Sequence, residues 1–286
     1  MDWLDRLNSA VSYLEENLTG VIDYRHAAQI ACCSEFHFQR IFSYIAGIPL
    51  SEYVRRRKMT EAAFDLQHTD MKVIDTALKF GYESPTAFNR AFQNVHGIAP
   101  SNARAKGVNL KAYPRIRFQL SVTGGSEMNY RIEKKAAFQI AGIKKRLPVN
   151  VEENFTEIPQ FWNQFMKSGL SEKLCAIMNS EPSGILGVCA MENDAKEFDY
   201  YIAAATTKEI PDEFCSYMVP ESLWAIFECI GAMPDAIQEL EKRILTEWLP
   251  TSGYEYSNGP DIEVYPEGDI NSPLYKSEVW LPIQKK

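Results

Sequence analysis

The sequence predicts two unlike domains in series: an all-α double helix-turn-helix domain over residues 1–106 and an α+β domain over 128–286, joined by a linker at 107–127. Three observations carry this. The 286-residue chain is long enough for two cores, and 45% apolar with 24% charged residues is a globular balance. Apolar residues recur at helical spacing and period-two alternation is absent before residue 112, whereas strand-like runs dominate afterwards. The charge divides too: residues 1–120 hold 15 Lys and Arg against 12 Asp and Glu, residues 121–286 hold 15 against 26, and +3 with −11 gives the net −8. Phosphate responds to the local field, so a whole-chain pI near 5.2 does not exclude nucleic acid as a partner of the first half.

The first helix is read from Leu4, Leu7, Val11, Leu14 and Leu18, which form one apolar stripe. Asp23 is placed to cap a short second helix, YRHAAQIA, and Ser34 to cap a third. A long amphipathic helix follows from Leu50 to about Gln67, carrying Arg55, Arg56, Arg57 and Lys58 as candidate scaffold or phosphate contacts. Asp70 is expected to cap MKVIDTALKF, Gly81 to stop it, and Ser84-Pro85 to open a sixth helix. This makes two short-helix, turn, second-helix units.

The units share a nonamer. SEFHFQRIF (34–42) and SPTAFNRAF (84–92) both fit S-x-x-x-F-x-R-x-F, and both run on into Gly-Ile-x-x-Ser. On a helical wheel, Phe38, Ile41, Phe42 and Ile45 form one arc, matched by Phe88, Ala91, Phe92 and Val95. The opposite arcs are Phe36, Gln39, Arg40 and Ser43 in the first copy, and Thr86, Asn89, Arg90 and Gln93 in the second. Arginine reads guanine edges or phosphate and the amides read adenine, so two divergent faces are expected to read two successive major-groove turns. A lone surface arginine would be unremarkable; the duplication gives these their weight.

In the second half, residues 100–129 read as a terminal helix plus a basic, irregular linker ending near a TGGSE stretch. RIEKKAAFQIAGIKKRL reads as strand or hairpin, the stretch around Phe161–Ser168 as helix, and GILGVCAM and FDYYIAAAT as strands. CSYMVPES and LWAIFECIG then read as strands, PDAIQELEKRILTEWL as helix, and DIEVYP and YKSEVWLPI as strands. Strand, helix, strand, strand thus occurs twice, which predicts pseudo-two-fold halves. Period two places Glu263 with Tyr265 and Glu278 with Trp280. If both pairs lined one cleft, they would form a carboxylate and aromatic box suited to an organic cation.

Two resemblances add to this reading. A-x-x-x-x-C-S-E-F-H-F-Q-R-I-F, L-S-E-Y-V-R-R-R and F-G-Y-E-S-P-T-A-F-N-R-A-F with G-I-A-P-S resemble the DNA-binding domain of AraC/XylS-family transcription regulators. G-I-L-G-V-C-A, E-W-L-P-T-S-G-Y-E, P-D-I-E-V-Y-P and E-V-W-L-P-I resemble the GyrI-like effector-binding domain. The resemblances imply a regulator with double-stranded DNA and a small cationic or amphipathic effector as partners. They imply an effector site at Glu263, Glu278 and Trp280, with Tyr200 or Tyr201 beside them. RNA polymerase is a further partner to expect, and both monomer and homodimer are compatible with two readers on one chain.

Two other roles for the second domain stay open, a small hydrolase with Glu263 or Glu278 as general base and a protein-binding module. No histidine follows His96, and no Ser-His-Asp or Cys-His constellation is present, so no catalytic residue is expected. The six cysteines show no CxxC spacing, so neither disulfides, a metal site nor a cofactor is expected. The N-terminal 30 residues lack a signal-peptide pattern and no 18-residue apolar run occurs, from which a cytoplasmic location is expected and no membrane partner.

Overall fold

The computed structural model describes residues 3–119, 127–149, 151–190, 197–257 and 259–286, and the chain divides into two compact units, 1–120 and 121–286. Most of the TGGSE stretch, residues 123–126, lies outside the described residues.

The first unit consists of α1 (Trp3–Glu16), α2 (Tyr24–Ile30), α3 (Glu35–Ala46), α4 (Leu50–His68), α5 (Val73–Lys79) and α6 (Pro85–His96), closed by a 3-10 turn at Pro100–Arg104. Side-chain caps set three of the starts: Asp23 accepts from the His26 N–H at 2.9 Å, Ser34 from that of His37 at 3.3 Å and Ser84 from that of Ala87 at 3.4 Å. Gly47 (φ 68°) and Gly97 (φ 77°) end the two nonamer helices in the left-handed conformation, where other side chains are strained. Asp70 does not cap α5. The Met71 N–H is taken by Thr69 Oγ1, and the helix starts two residues later than expected, with Lys72 at its N-cap and no side-chain cap bond.

The four repeated phenylalanines, Phe38, Phe42, Phe88 and Phe92, are fully buried. Helix α4 serves both halves, contributing Met59, Ala62, Ala63 and Leu66 to the cluster that holds Phe88 and Phe92. The halves also lock backbone to backbone. The Gly20 N–H donates to the Lys79 carbonyl at 2.9 Å, and Lys58 Nζ bridges the carbonyls of Gly20 and Phe80 at 2.6 and 2.9 Å. A Cβ on Gly81 would lie 2.3 Å from the Gly20 oxygen, so only glycine permits this approach.

The second unit is one antiparallel sheet with helices on a single face. Its strands are β1 (Tyr130–Lys135), β2 (Phe138–Pro148), β3 (Ile185–Ala190), β4 (Glu197–Ala205), β5 (Cys215–Val219), β6 (Ser222–Ile230), β7 (Tyr254–Tyr256), β8 (Asp261–Tyr265) and β9 (Lys276–Lys285). Helices α7 (Val151–Lys167) and α8 (Leu170–Ile177) precede β3; α9 (Asp235–Arg243) runs through a π turn at Ile244–Trp248 to a last turn at Leu249–Thr251. The spatial order is β1-β6-β9-β8-β3-β4-β2-β5, with β7 paired to β9. The order is symmetric about the β8/β3 seam, as the repeated strand, helix, strand, strand pattern predicts.

The expected hairpin of β1 with β2 does not form. Each strand leaves for the far end of the sheet: β1 pairs with β6, and β2 with β4 and β5. Only Ala136 and Ala137 separate them, so Lys135 and Phe138 are at most about 11 Å apart. Six strand spacings in a flat sheet would demand about 29 Å. Pro220 and Glu221 impose the same limit between β5 and β6. The sheet therefore curls, and its concave face encloses Ile140, Leu186, Val188, Tyr201, Val219, Trp224, Ile226 and Trp280 in one cluster. Helices α7, α8 and α9 pack on the convex face.

Candidate DNA-reading and effector sites

On α6, Thr86, Asn89, Arg90 and Gln93 are all exposed, an open polar face with the phenylalanines beneath. On α3 the outward face is narrower than the wheel predicts. Phe36 is 4% exposed, with its ring edge-on to His37 at 5.5 Å, and is therefore core rather than a reader. Burial of a helix's first turn depends on what lies over it, which periodicity does not encode. Ser43 is also buried, and its hydroxyl donates to the Gln39 carbonyl of its own helix at 2.7 Å. Gln39 and Arg40 remain, half-buried: Gln39 Nε2 donates to Glu35 at 3.2 Å, and the Arg40 guanidinium lies 5.8 Å from the Tyr44 ring centroid.

The basic run on α4 is divided. Arg57 is buried, donating to Glu15, Glu61 and the Tyr113 carbonyl, each at 2.8 Å, and Lys58 is committed to two carbonyls. Both are scaffold. Arg55 and Arg56 pair with Glu52, the Arg55 side chain 47% exposed. The 19 residues of α4 give a length of about 28 Å.

In the second unit the register separates what the sequence suggested as one box. Val264 faces Glu278 and Ile262 faces Trp280 across β8 and β9, whereas Glu263 faces Val279. Residues opposite one another share a face, so Glu278 and Trp280 lie on the concave face and Glu263 and Tyr265 on the convex one. The two tyrosines divide likewise: Cys189 faces Tyr200, and Val188 faces Tyr201. Tyr200 joins Glu263 and Tyr265; Tyr201 joins Trp280 in the enclosed cluster. Glu278 is charge-paired with Arg131 at 2.8 Å and accepts a hydrogen bond from Trp280 Nε1 at 2.7 Å.

The convex set converges above Gly187, the partner of Glu263 in register. A Cβ on Gly187 would lie 2.6 Å from Tyr200 Oη, 2.8 Å from Glu263 Oε2 and 3.4 Å from the Trp162 ring, so glycine keeps the meeting point open. Tyr265 Oη donates to Glu263 Oε2 at 3.0 Å, and Trp162 Nε1 donates to Tyr200 Oη at 2.8 Å. Trp162 stands edge-on to Tyr265, with centroids 5.3 Å apart, and Phe161 to Tyr200 at 6.5 Å. Burial, and then the Glu263 carboxylate, hold both phenols well above the ordinary tyrosine range, so they are neutral donors. Glu241 on α9, also buried, adds its charge to the field at both. Trp162, Gly187 and Glu241 escape sequence reasoning. A glycine in the middle of GILGVCA is the one signal that marks a close approach.

No group of three or more His, Cys, Asp or Glu positioned to hold a metal occurs among the described residues, nor is any of their helices long and apolar enough to cross a membrane.

Comparison with known proteins adds an independent line. The family model described as the GyrI-like small molecule binding domain matches residues 128–284, and one described as a helix-turn-helix domain matches 27–106. Over 95 residues the chain is 40% identical to the HTH-type transcriptional activator AarP of Providencia stuartii, covering 33% of this chain and 70% of AarP. Over 98 residues it is 30% identical to the multiple antibiotic resistance protein MarA of Escherichia coli, covering 34% of this chain and 77% of MarA. Among solved structures, SAV2435 bound to tetraphenylphosphonium superposes with a TM-score of 0.50 at 25% identity, over 55% of this chain and 94% of that one.

Proposed function

Because the chain belongs to the GyrI-like small-molecule-binding family and carries an AraC-type helix-turn-helix domain ahead of it, it is a DNA-binding transcription regulator, and we propose how each unit works. The first unit reads an asymmetric duplex site through Gln39 and Arg40 on α3 and Thr86, Asn89, Arg90 and Gln93 on α6. Support comes from the exposure of the α6 face and from a connecting helix whose length approaches the ~34 Å between successive major-groove turns. One monomer carries both readers, so dimerisation is not required for binding. The regulator works in the cytoplasm, where DNA and RNA polymerase are its macromolecular partners.

The second unit senses a lipophilic cation. The observation that carries this is the Glu263 carboxylate packed with Tyr200, Tyr265 and Trp162 over Gly187: a carboxylate among three electron-rich rings, brought together by a glycine. The likeness to a protein solved with tetraphenylphosphonium supports the same class of ligand. Glu263 supplies charge pairing and the rings supply dispersion and cation–π attraction. The role in this reading is binding without turnover.

Titration of tetraphenylphosphonium into the full chain, followed by tryptophan fluorescence, tests this. Glu263→Gln is expected to weaken binding at least about tenfold while DNA affinity stays unchanged. Glu278→Gln, on the other face, is expected to leave cation affinity as it was. The opposite pattern would move the site to the concave face.

A further inference from the structure

The stretch 107–119 has the composition of a loose basic linker, yet the helices hold it along its length. The Lys111 N–H donates to His96 Nδ1 at 3.2 Å, and the Tyr113 N–H to Thr60 Oγ1 at 3.1 Å. The Ile116 N–H donates to Tyr53 Oη at 3.2 Å, and the Phe118 N–H to Asn8 Oδ1 at 2.9 Å. Four backbone donors of an irregular chain are thus taken by four side chains, one from α6, two from α4 and one from α1. Asn8 returns a second bond from Nδ2 to the Phe118 carbonyl at 3.0 Å, pairing with that residue as a neighbouring strand would.

The packing follows the same route. Leu110 and Tyr113 rest on the cluster that holds Phe88 and Phe92 of α6. Phe118 is 6% exposed and stands edge-on to Phe42 of α3, with centroids 5.6 Å apart at 78°. Arg57 fixes the Tyr113 carbonyl from the same guanidinium that holds Glu15, and Tyr53 Oη donates to Glu15. The strap therefore runs from beneath the second nonamer helix, across α4, to a position beneath the first.

We propose that residues 107–119 are a positioning strap of the DNA-binding unit, with Asn8, Tyr53 and Phe118 setting the attitude of α3 relative to α6. Independently of the strap, the close approach of Gly20, Gly81 and Lys58 ties the end of α5, just ahead of α6, to α4 and to the α1–α2 connection. On the strap side, α3 is steadied through Phe42 by Phe118. Loosening the strap at its Phe118 end should free the first reader and leave the second seated.

This rests on the two-reader reading, and footprinting of the full chain separates the two. The wild type is expected to protect two successive major-groove turns. Phe118→Ala and Asn8→Ala are expected to lose protection over one turn while keeping the other, with affinity falling about tenfold. Tyr53→Phe, which removes one oxygen and keeps the volume, should show the same one-sided loss more weakly, with a smaller drop in urea midpoint than Phe118→Ala, from the two hydrogen bonds lost. Two-turn protection that all three variants retain overturns the strap alone. Equal loss over both turns, tracking a lowered urea midpoint, also overturns it, because the residues would then only stabilise the fold. A wild-type footprint of a single turn overturns the two-reader reading and the strap together.

Discussion

Single residues decide which face a site occupies. Gly187 is the clearest, since its missing side chain is the space in which Tyr200 Oη and Glu263 Oε2 meet. Gly187→Ala should displace both groups and reduce tetraphenylphosphonium affinity by about the same tenfold as Glu263→Gln, with far-ultraviolet circular dichroism unchanged; intact affinity would place the ligand elsewhere. On α6, Arg90→Ala should cost about 1–3 kcal/mol of specific DNA binding and relax sequence preference in one half of the site only, measurable by competition with half-site mutants. His96 is buried and accepts from the Lys111 N–H through Nδ1, so Nε2 carries the proton toward the Met59 carbonyl. Burial is the main force holding its pKa below 6.5. The unfolded chain therefore takes up a proton before the folded one does. The contribution of His96 to stability is complete above pH 6.5 and declines as the pH falls from there toward the depressed folded value. Urea midpoints at pH 7.5 and 5.5 should show this decline, and His96→Gln should flatten it.

At the level of elements, α4 is the member on which the first unit is built, and Arg57 is its joint. Its guanidinium satisfies Glu15, whose side chain is only 7% exposed. Arg57→Ala should destabilise the unit by about 3–5 kcal/mol, because it leaves that carboxylate buried without a counter-charge, with only the neutral Tyr53 hydroxyl still donating to it; a denaturant melt checks the value. The helices were the most legible part of the sequence. Asp23, Ser34 and Ser84 cap where their positions predict, and the phenylalanines of both nonamers are core, because capping and amphipathic spacing act within a few residues. The strands were legible as strands but not in their pairing. Glu263 and Glu278 each sit correctly within their own alternation. Whether they share a face depends on the register of β8 against β9, a long-range property that alternation along one strand does not contain. Phe36 was misplaced for a related reason, and the strap was missed because its bonds come from residues distant in sequence.

For the whole molecule, the charge difference between the halves has a measurable effect. The +3 of residues 1–120 favours DNA while the −11 of residues 121–286 opposes it, so a plot of log affinity against log salt should be shallow for a protein spanning two groove turns. A slope as steep as that of a wholly basic DNA-binding domain would show that the acidic unit is not felt at the interface. The two shortest strand-to-strand connections of the second unit, Ala136-Ala137 and Pro220-Glu221, have a further consequence. Each sends the first strand of one repeat across to the other repeat, so the halves are interlinked like two clasped hands, and neither possesses a complete sheet of its own. A ligand bound where we propose, at the Glu263/Gly187 seam, would press on the line where the clasped halves meet, while the far edges stay tied by chain. Any give there must be a small opening about those edges rather than a separation, so occupancy is registered by both repeats at once.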